Sequence, residues 1–231
     1  MKNDLTGIIC AMPLEMEGMR AQMTDIETEH VSGIEFVRGT LAGVPVVTAV
    51  CGVGKVFAAL CAQTMILRYA PACIINTGVA GSLSPDLSIG QIAIARDVVQ
   101  HDMDTSPLGD PVGLLSGINI VYIPADESLC NGLTEAAEAC ALTVRSGTVA
   151  TGDQFIHTTE QKTRIRDTFG AIACEMEGGA IGHVCYVNGI PFAILRAISD
   201  GGDEAAQMDY PTFARMAAAN SVRVLTEFLS R

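Results

Sequence analysis

Tryptophan is absent from this chain of 231 residues, and aromatic residues of all kinds make up only 5% of it. The core must therefore be filled by small and branched side chains. Alanine, valine, isoleucine and glycine are plentiful, a mix that suits parallel strands covered by helices with tight turns between them. Charge is also scarce. Only 17% of residues are charged and 49% are hydrophobic, which excludes a disordered chain and leaves material for one large core. Basic residues are the minority among the charges: 14 Lys and Arg stand against 26 Asp and Glu, a formal net charge of −12. So acidic a surface repels phosphate backbones and anionic lipid, and neither nucleic acid nor a membrane surface is an expected partner.

Paired cysteines are missing too. The eight cysteines, at 10, 51, 61, 73, 130, 140, 174 and 185, form no CxxC pair, and most sit in apolar runs such as Ala72-Cys73-Ile74-Ile75. They read as buried free thiols of a reducing compartment. No apolar run is long enough to span a membrane. The apolar stretch 5–14 lacks the basic flank of a signal peptide and runs straight into Glu15 and Glu17. The expectation is a soluble, cytoplasmic protein.

What the chain does have is alternation of strand and helix from end to end. Residues 7–11 read as a buried strand, and Pro13 suits the first turn of a helix carrying Leu14, Met16, Met19 and Met23. Residues 34–41 and 45–50 form a predicted hairpin turning at Ala42-Gly43, followed by a helix over 53–69. Strands are predicted at 73–77, 89–99, 144–150, 171–175 and 192–199, and helices at 126–141, 159–168, 177–188 and 211–229. Residues 100–118, with two Pro and three Gly, read as a loop. The economical fold is a single α/β domain over 1–231 with a mixed, mostly parallel central sheet flanked by helices.

In such sheets ligands collect beyond the carboxyl ends of strands. Four predicted strand ends carry polar residues or glycines after an apolar run: Met12-Pro13-Leu14-Glu15, Thr77-Gly78-Val79-Ala80-Gly81, Glu175-Met176-Glu177 and Ser199-Asp200. Together they place three candidate site carboxylates, Glu15, Glu177 and Asp200, on one rim. Singly, Glu15 also reads as an ordinary acid in the first turn of a helix, Asp200 as a turn or cap residue, and Met176 and Phe155 as core. Gly52-Val53-Gly54-Lys55 resembles a phosphate loop, but Ala49 and Val56 stand where that motif needs Gly and Ser or Thr. These glycines serve either as tight turns or as points where backbone meets ligand. No dinucleotide GxGxxG, HExxH or GxSxG pattern occurs, and His101-Asp102-Met103-Asp104 lacks metal-ligand spacing, so neither metal nor cofactor is expected.

Three acids beside an apolar pocket suit cleavage of an N-ribosidic bond. That reaction builds positive charge on the ribose and negative charge on the departing base. One acid protonates the base, one carboxylate activates water and another holds the ribose hydroxyls, and positioned groups of this kind give about 10²–10⁴-fold in rate.

At this point the motifs resemble a known family. Gly7-Ile8-Ile9-Cys10-Ala11-Met12 with Glu15, Gly52-Val53-Gly54-Lys55-Val56, Ile75-Asn76-Thr77-Gly78, Gly152-Asp153-Gln154-Phe155-Ile156, Glu175-Met176-Glu177 and Arg196-Ala197-Ile198-Ser199-Asp200 occur in the order and at the spacing of the bacterial 5′-methylthioadenosine/S-adenosylhomocysteine nucleosidases, members of the nucleoside phosphorylase superfamily. The resemblance covers nearly the whole chain and implies roles. Glu15 matches the water-activating carboxylate, Glu177 the ribose-binding one with Met176 against the sugar, and Asp200 the acid at N7 of adenine. It further implies that Phe155 stacks on the base, that the Ile156 backbone reads its edge, and that Arg196 orients Glu177. Met12, Val53 and Tyr210 match the lining of the 5′-thio pocket. A homodimer is implied as well, in which the partner closes the 5′ end with the loop containing Thr105 and Leu108.

Val79 departs from the common Ser of Thr-Gly-Ser-Ala-Gly, and Thr105, Leu108 and Tyr210 stand where Val, Phe and Phe are usual. These departures bear on the 5′ substituent and leave open a hydrolase for another 5′-modified nucleoside, such as 5′-deoxyadenosine or a futalosine-like compound. A phosphate-dependent phosphorylase and a non-catalytic nucleoside-binding module also compete with the hydrolase at this point.

Overall fold

The computed structural model describes residues 4–231. Strand β1 (Thr6–Cys10) is buried at every position because it is flanked on both sides, parallel to β4 (Val44–Val50) and to β5 (Cys73–Ser82). Its side chains alternate between two cores, as the pleat requires: Ile9 enters one, Ile8 and Cys10 the other. The Ile9 side is covered by α2 (Lys55–Tyr69) and α5 (Gly178–Asn188), through Cys61, Met65, Ile181 and Cys185. The opposite side is covered by α1 (Pro13–Arg20), α3 (Glu127–Ala139) and α6 (Ala206–Leu229), through Met16, Met19, Leu133 and Leu225. A third cluster forms under α4 (Thr159–Phe169), where Ile165 and Phe169 pack on Ala150 and Ala171.

The remaining strands are β2 (Thr24–Val31), β3 (Ile34–Leu41), β6 (Ile92–Gln100), β7 (Ile123–Pro124), β8 (Val144–Thr151), β9 (Ala171–Glu175) and β10 (Phe192–Asp200). The sheet runs β2-β3-β4-β1-β5-β9-β8-β6-β10, and β10 then returns to pair with β5. Strands β5, β9, β8, β6 and β10 thus close a ring, while β1 to β4 extend from it as an open wing. The β1–β4, β1–β5, β5–β10, β6–β8 and β8–β9 pairings are parallel, and the antiparallel ones lie in the wing, at β7 and within the ring at β5–β9 and β6–β10. The sheet is mixed and flanked by helices, as predicted, but parallel and antiparallel pairings are equal in number rather than mostly parallel, because the β2–β3–β4 wing, β7 and the ring's β5–β9 and β6–β10 pairs all run antiparallel.

The predicted hairpin forms between β3 and β4, and Ala42 (φ +51°) with Gly43 (φ +83°) takes the doubly left-handed turn that matches strand twist. Three local features differ from expectation. Strand β2 has no sequence signature, since Thr24–Val31 is exposed along most of its length and shows no apolar alternation. It forms through backbone pairing with β3 alone, and its charges suit an edge. The strand predicted to end at Thr77 instead continues through Gly78-Val79-Ala80-Gly81, because β10 pairs with this segment throughout and Cys174 of β9 lies opposite Gly81. Helix α6 starts five residues before Pro211. The fixed φ of proline is itself helical, so Pro211 forfeits one hydrogen bond near the helix start rather than ending the helix. Among the described residues no helix is long and apolar enough to cross a membrane.

Glycine is a poor helix former, yet α5 holds Gly178, Gly179 and Gly182, all buried. A Cβ on Gly182 would lie 2.9 Å from the Phe192 ring and 3.0 Å from Val98. Gly182→Ala should therefore destabilise the fold by about 1–3 kcal/mol through overpacking, outweighing a helix-propensity gain of about 1 kcal/mol. Urea unfolding of the two proteins checks this, and a stabilised variant would refute close packing as the reason for the glycine.

Candidate active site

Because β1, β5 and β10 are parallel, their carboxyl ends share one rim, and the antiparallel crossing of β9 against β5 brings the segment 175–177 to it. A cavity of about 220 Å³ opens there. Glu15, Glu177 and Asp200 line it together with Met12, Val53, Val79, Phe155, Met176 and Tyr210. A smaller space of about 40 Å³ adjoins it, bounded by Phe155, Ile156, Met176 and Asp200. Arg196 lies behind the wall, fully buried. Thr105 and Leu108 are not brought to this cavity: they lie at the 3₁₀ turn Ser106–Leu108, where Leu108 is 84% exposed.

Each acid is held differently. Glu15 is the third residue of α1 and reaches back to the start of its own helix, half of a capping box. Its Oε2 accepts from the Ala11 and Met12 N–H groups, both at 2.9 Å, and its Oε1 from Val79 N–H at 3.1 Å. Burial still pushes its pKa up, against the Arg196 charge and these three donors. It is thus a helix-start acid, but not a solvated one. Asp200 does make a turn contact, accepting from Gly202 N–H at 2.9 Å, while Ser199 Oγ donates to its other oxygen at 2.8 Å. Burial pushes its pKa up in spite of both donors.

Glu177 accepts from Gly54 N–H at 3.0 Å, so one of the loop glycines meets a carboxylate rather than a phosphate. Its other oxygen lies 3.7 Å from Arg196 Nη2. Burial, followed by the neighbouring Glu175 charge, pushes the Glu177 pKa to about 7.

The closest partner of Arg196 is Glu175, not Glu177. Glu175 accepts from Arg196 Nη2, from Thr151 Oγ1 and from the Glu177 and Gly178 N–H groups. Asn76 completes the cluster: its Oδ1 accepts from Arg196 Nη2 at 2.5 Å, and its Nδ2 donates to Ile9 C=O at 3.0 Å. Both residues fall within motifs singled out in the sequence, but neither receives a role there. A signal exists for both, since Glu175 ends an apolar strand and Asn76 interrupts one. Gly78 also belongs here, because a Cβ on it would lie 2.5 Å from both Arg196 Nη1 and Glu15 Oε1. No group of three or more His, Cys, Asp or Glu among the described residues is arranged to hold a metal ion.

At the open end, Tyr210 Oη donates to Met12 Sδ at 3.1 Å, and the Tyr210 ring meets Phe155 edge-on at 5.8 Å. The cavity therefore carries acids along one wall and a sulfur-aromatic group at its mouth.

A sequence profile of the phosphorylase superfamily matches residues 6–230. The chain belongs to that superfamily. A 5′-methylthioadenosine/S-adenosylhomocysteine nucleosidase from a Shewanella species is 35% identical over 229 residues, covering 97% of this chain and 96% of that protein. The crystal structure of the Neisseria meningitidis nucleosidase of the same name, in complex with methylthio-immucillin-A, superposes with a TM-score of 0.95 at 33% identity, covering 98% of this chain and 99% of that one. A Helicobacter pylori futalosine hydrolase superposes with a TM-score of 0.93 at 33% identity, covering 97% of each chain. Within the superfamily the chain groups with these nucleosidases.

The Arg196 cluster generates a test. Arg196→Met leaves Glu175, Glu177 and Glu15 without their cation, and removing one member of a buried ion pair costs about 3–5 kcal/mol. The loss should depend on pH. A carboxyl whose folded pKa is raised weakens the fold as pH climbs from its ordinary value through the raised one, and without Arg196 the raised pKa values of Glu15 and Glu177 climb further. The variant's deficit should be largest near pH 8 and shrink toward pH 5. Denaturant melts at both values decide it, and equal deficits would mean that Arg196 acts by packing alone.

Proposed function

We propose that the chain hydrolyses the N-ribosidic bond of 5′-methylthioadenosine and S-adenosylhomocysteine, releasing adenine and the thio-ribose. The observation that carries this reading is the meeting of Glu15, Glu177 and Asp200, from three separate segments, in one cavity. In the reaction, the N9–C1′ bond breaks with its electron pair passing to the purine, and N7 takes a proton from Asp200. The raised pKa of Asp200 favours the protonated form that this step needs. Water adds to C1′ and gives its proton to Glu15, whose raised pKa makes it a stronger base. Glu177 accepts from the ribose hydroxyls beside Met176. Arg196, anchored on Glu175, limits the charge repulsion among the acids. Phe155 stacks on the base, and the Ile156 backbone reads its edge in the adjoining space.

Met12, Val53 and Tyr210 receive the 5′ substituent. Two observations favour a second reading at this end, a 5′-modified nucleoside of the futalosine kind. The Tyr210 hydroxyl adds a polar group to an otherwise apolar mouth, and a futalosine hydrolase stands among the structural neighbours. A phosphorylase is disfavoured, because Glu15 would repel a phosphate ion at close range.

A homodimer is supported by exposed apolar side chains on α2, of which Val56, Leu60 and Leu67 share one helical face, and by the exposed Leu108, since apolar faces left open in this way mark protein contacts. The partner's 105–108 turn would then close the 5′ end. Eight free cysteines suit a cytoplasmic location.

Adenine release from a panel of adenosines differing only at the 5′ position, in phosphate-free buffer, tests the reading. We expect prompt release from the methylthio compound, with Asp200→Asn losing turnover while binding stays within about tenfold. A fully active Asn variant would remove Asp200 as the acid. Turnover only with phosphate would make the chain a phosphorylase, a preference for another substituent would favour the second reading, and binding without release would make it a nucleoside-binding module. Sedimentation should give twice the 24.2 kDa chain mass, and Val56→Asp should halve it. A monomeric parent protein would exclude the shared 5′ pocket.

A further inference from the structure

The cluster His101-Asp102-Met103-Asp104, which has no metal-ligand spacing, follows β6 and lies outside the cavity. Asp102 nonetheless ties together two segments that reach it. Its Oδ1 accepts from Lys55 Nζ at 2.6 Å, and its Oδ2 accepts from Asp153 N–H at 3.0 Å. Asp153 Oδ1 in turn accepts from Lys55 N–H at 2.8 Å. The first residue of α2 is thus held by both its backbone and its side chain.

This matters because α2 has no side-chain cap of its own and no acid in its first turn. Asp153 supplies the missing acceptor from the β8–α4 connection. The residue before Lys55 is Gly54, at φ +100°, a conformation that side chains rarely adopt. A Cβ there would lie 3.0 Å from Asp153 Oδ1. Clamped in this way, Gly54 aims its N–H at Glu177 Oε1.

We propose that Asp102 is a positioning residue for the reaction: by pinning Lys55 and Asp153 it holds the Gly54 N–H on Glu177 and keeps that carboxylate turned to the ribose. The substrate part of this rests on the nucleosidase reading. The clamp itself does not.

The Gly54 N–H stabilises the ionised form of Glu177. The other groups facing Glu177 are Glu175 on β9, Arg196 on β10, Glu15 on α1 and the Cys51 thiol, which burial keeps neutral. Asp102 bonds to Lys55 and Asp153 and to none of these four, so a change at Asp102 reaches Glu177 through Gly54.

Asp102→Asn keeps the size of the side chain and removes its charge. We expect the Gly54 amide to exchange with solvent at least about tenfold faster, read by NMR, while the global melt is unchanged. With the preferred nucleoside, kcat/KM should fall about tenfold, mainly through KM. Its acidic limb should move up by about one pH unit, the size expected for losing one hydrogen bond to an ionised group. Lys55→Met, which breaks another leg of the clamp, should reproduce these changes. Unchanged Gly54 exchange in the folded variant would overturn the proposal. So would a fall in kcat with KM and the pH profile unmoved, the mark of a smaller active fraction. If the unaltered protein turned over no nucleoside, the nucleosidase reading would fall, and the exchange measurement would still decide the clamp.

Discussion

A guanidinium with 1% of its surface exposed must be neutralised where it stands, and the requirements of Arg196 organise this end of the molecule. It is in β10, at the register position opposite Gly78 of β5. Glu175 gives it an ion pair and Asn76 an acceptor, with Glu177 and Glu15 within reach of its charge. One cation among three carboxylates leaves surplus negative charge in a low-dielectric space. Burial and that surplus push the Glu177 pKa up to about 7, and burial raises that of Glu15 as well. A cavity so poised repels anions and suits a ligand that develops positive charge.

The sheet makes this arrangement available at little conformational cost. Strand β5 is long enough to pair with β1 through its first half and with β9 at its end, while β10 runs along its other edge. That closure puts the carboxyl ends of several strands around one space. The glycines of β5 then permit an approach that no other residue would. Gly78 leaves room for the head groups of Arg196 and Glu15, and Gly81 does the same for Asp200, whose Oδ1 would lie 2.8 Å from a Cβ there. The backbone also supplies most of the donors to the acids, so their orientation depends on strand geometry more than on other side chains.

Much of this is legible in the sequence, and what is not has physical reasons. The buried strands announce themselves as apolar runs, and the cavity acids as the polar residues that follow such runs. Strand β2 does not, because its pairing uses backbone groups that no side-chain pattern encodes. The extension of β5 through Gly78–Gly81 is hidden for the opposite reason. Glycines signal a turn locally, and only the presence of β10 and β9 on either side makes them strand. Glu175 and Asn76 are visible as oddities, an acid at the end of an apolar strand and an amide inside one. Their function is not visible, since it consists in meeting Arg196 from 21 and 120 residues away. Thr105 and Leu108, named through family resemblance, lie outside the single-chain cavity, and only an assembly would bring such a turn to a neighbouring one.

The two ends of the cavity differ in how firmly they are built, and this bears on specificity. Asp200 ends β10, and Glu15 and Glu177 lie at the starts of the helices that follow β1 and β9; each is held by backbone N–H groups or buried partners, so the chemistry proposed for them depends on the rigid part of the fold. The mouth is built from Met12, Val53, Phe155 and Tyr210, contributed by connections and by the first turns of α6, with Val53 and Phe155 exposed in the free chain. A substitution there alters shape and polarity without disturbing a single bond to Glu15, Glu177 or Asp200. The change from a ring to a phenol at Tyr210 is of that kind. In a fold divided in this way, the reaction can stay constant while the accepted 5′ group changes. Such a division is compatible with the likeness of this chain to both a methylthioadenosine nucleosidase and a futalosine hydrolase, which superpose on it with TM-scores of 0.95 and 0.93.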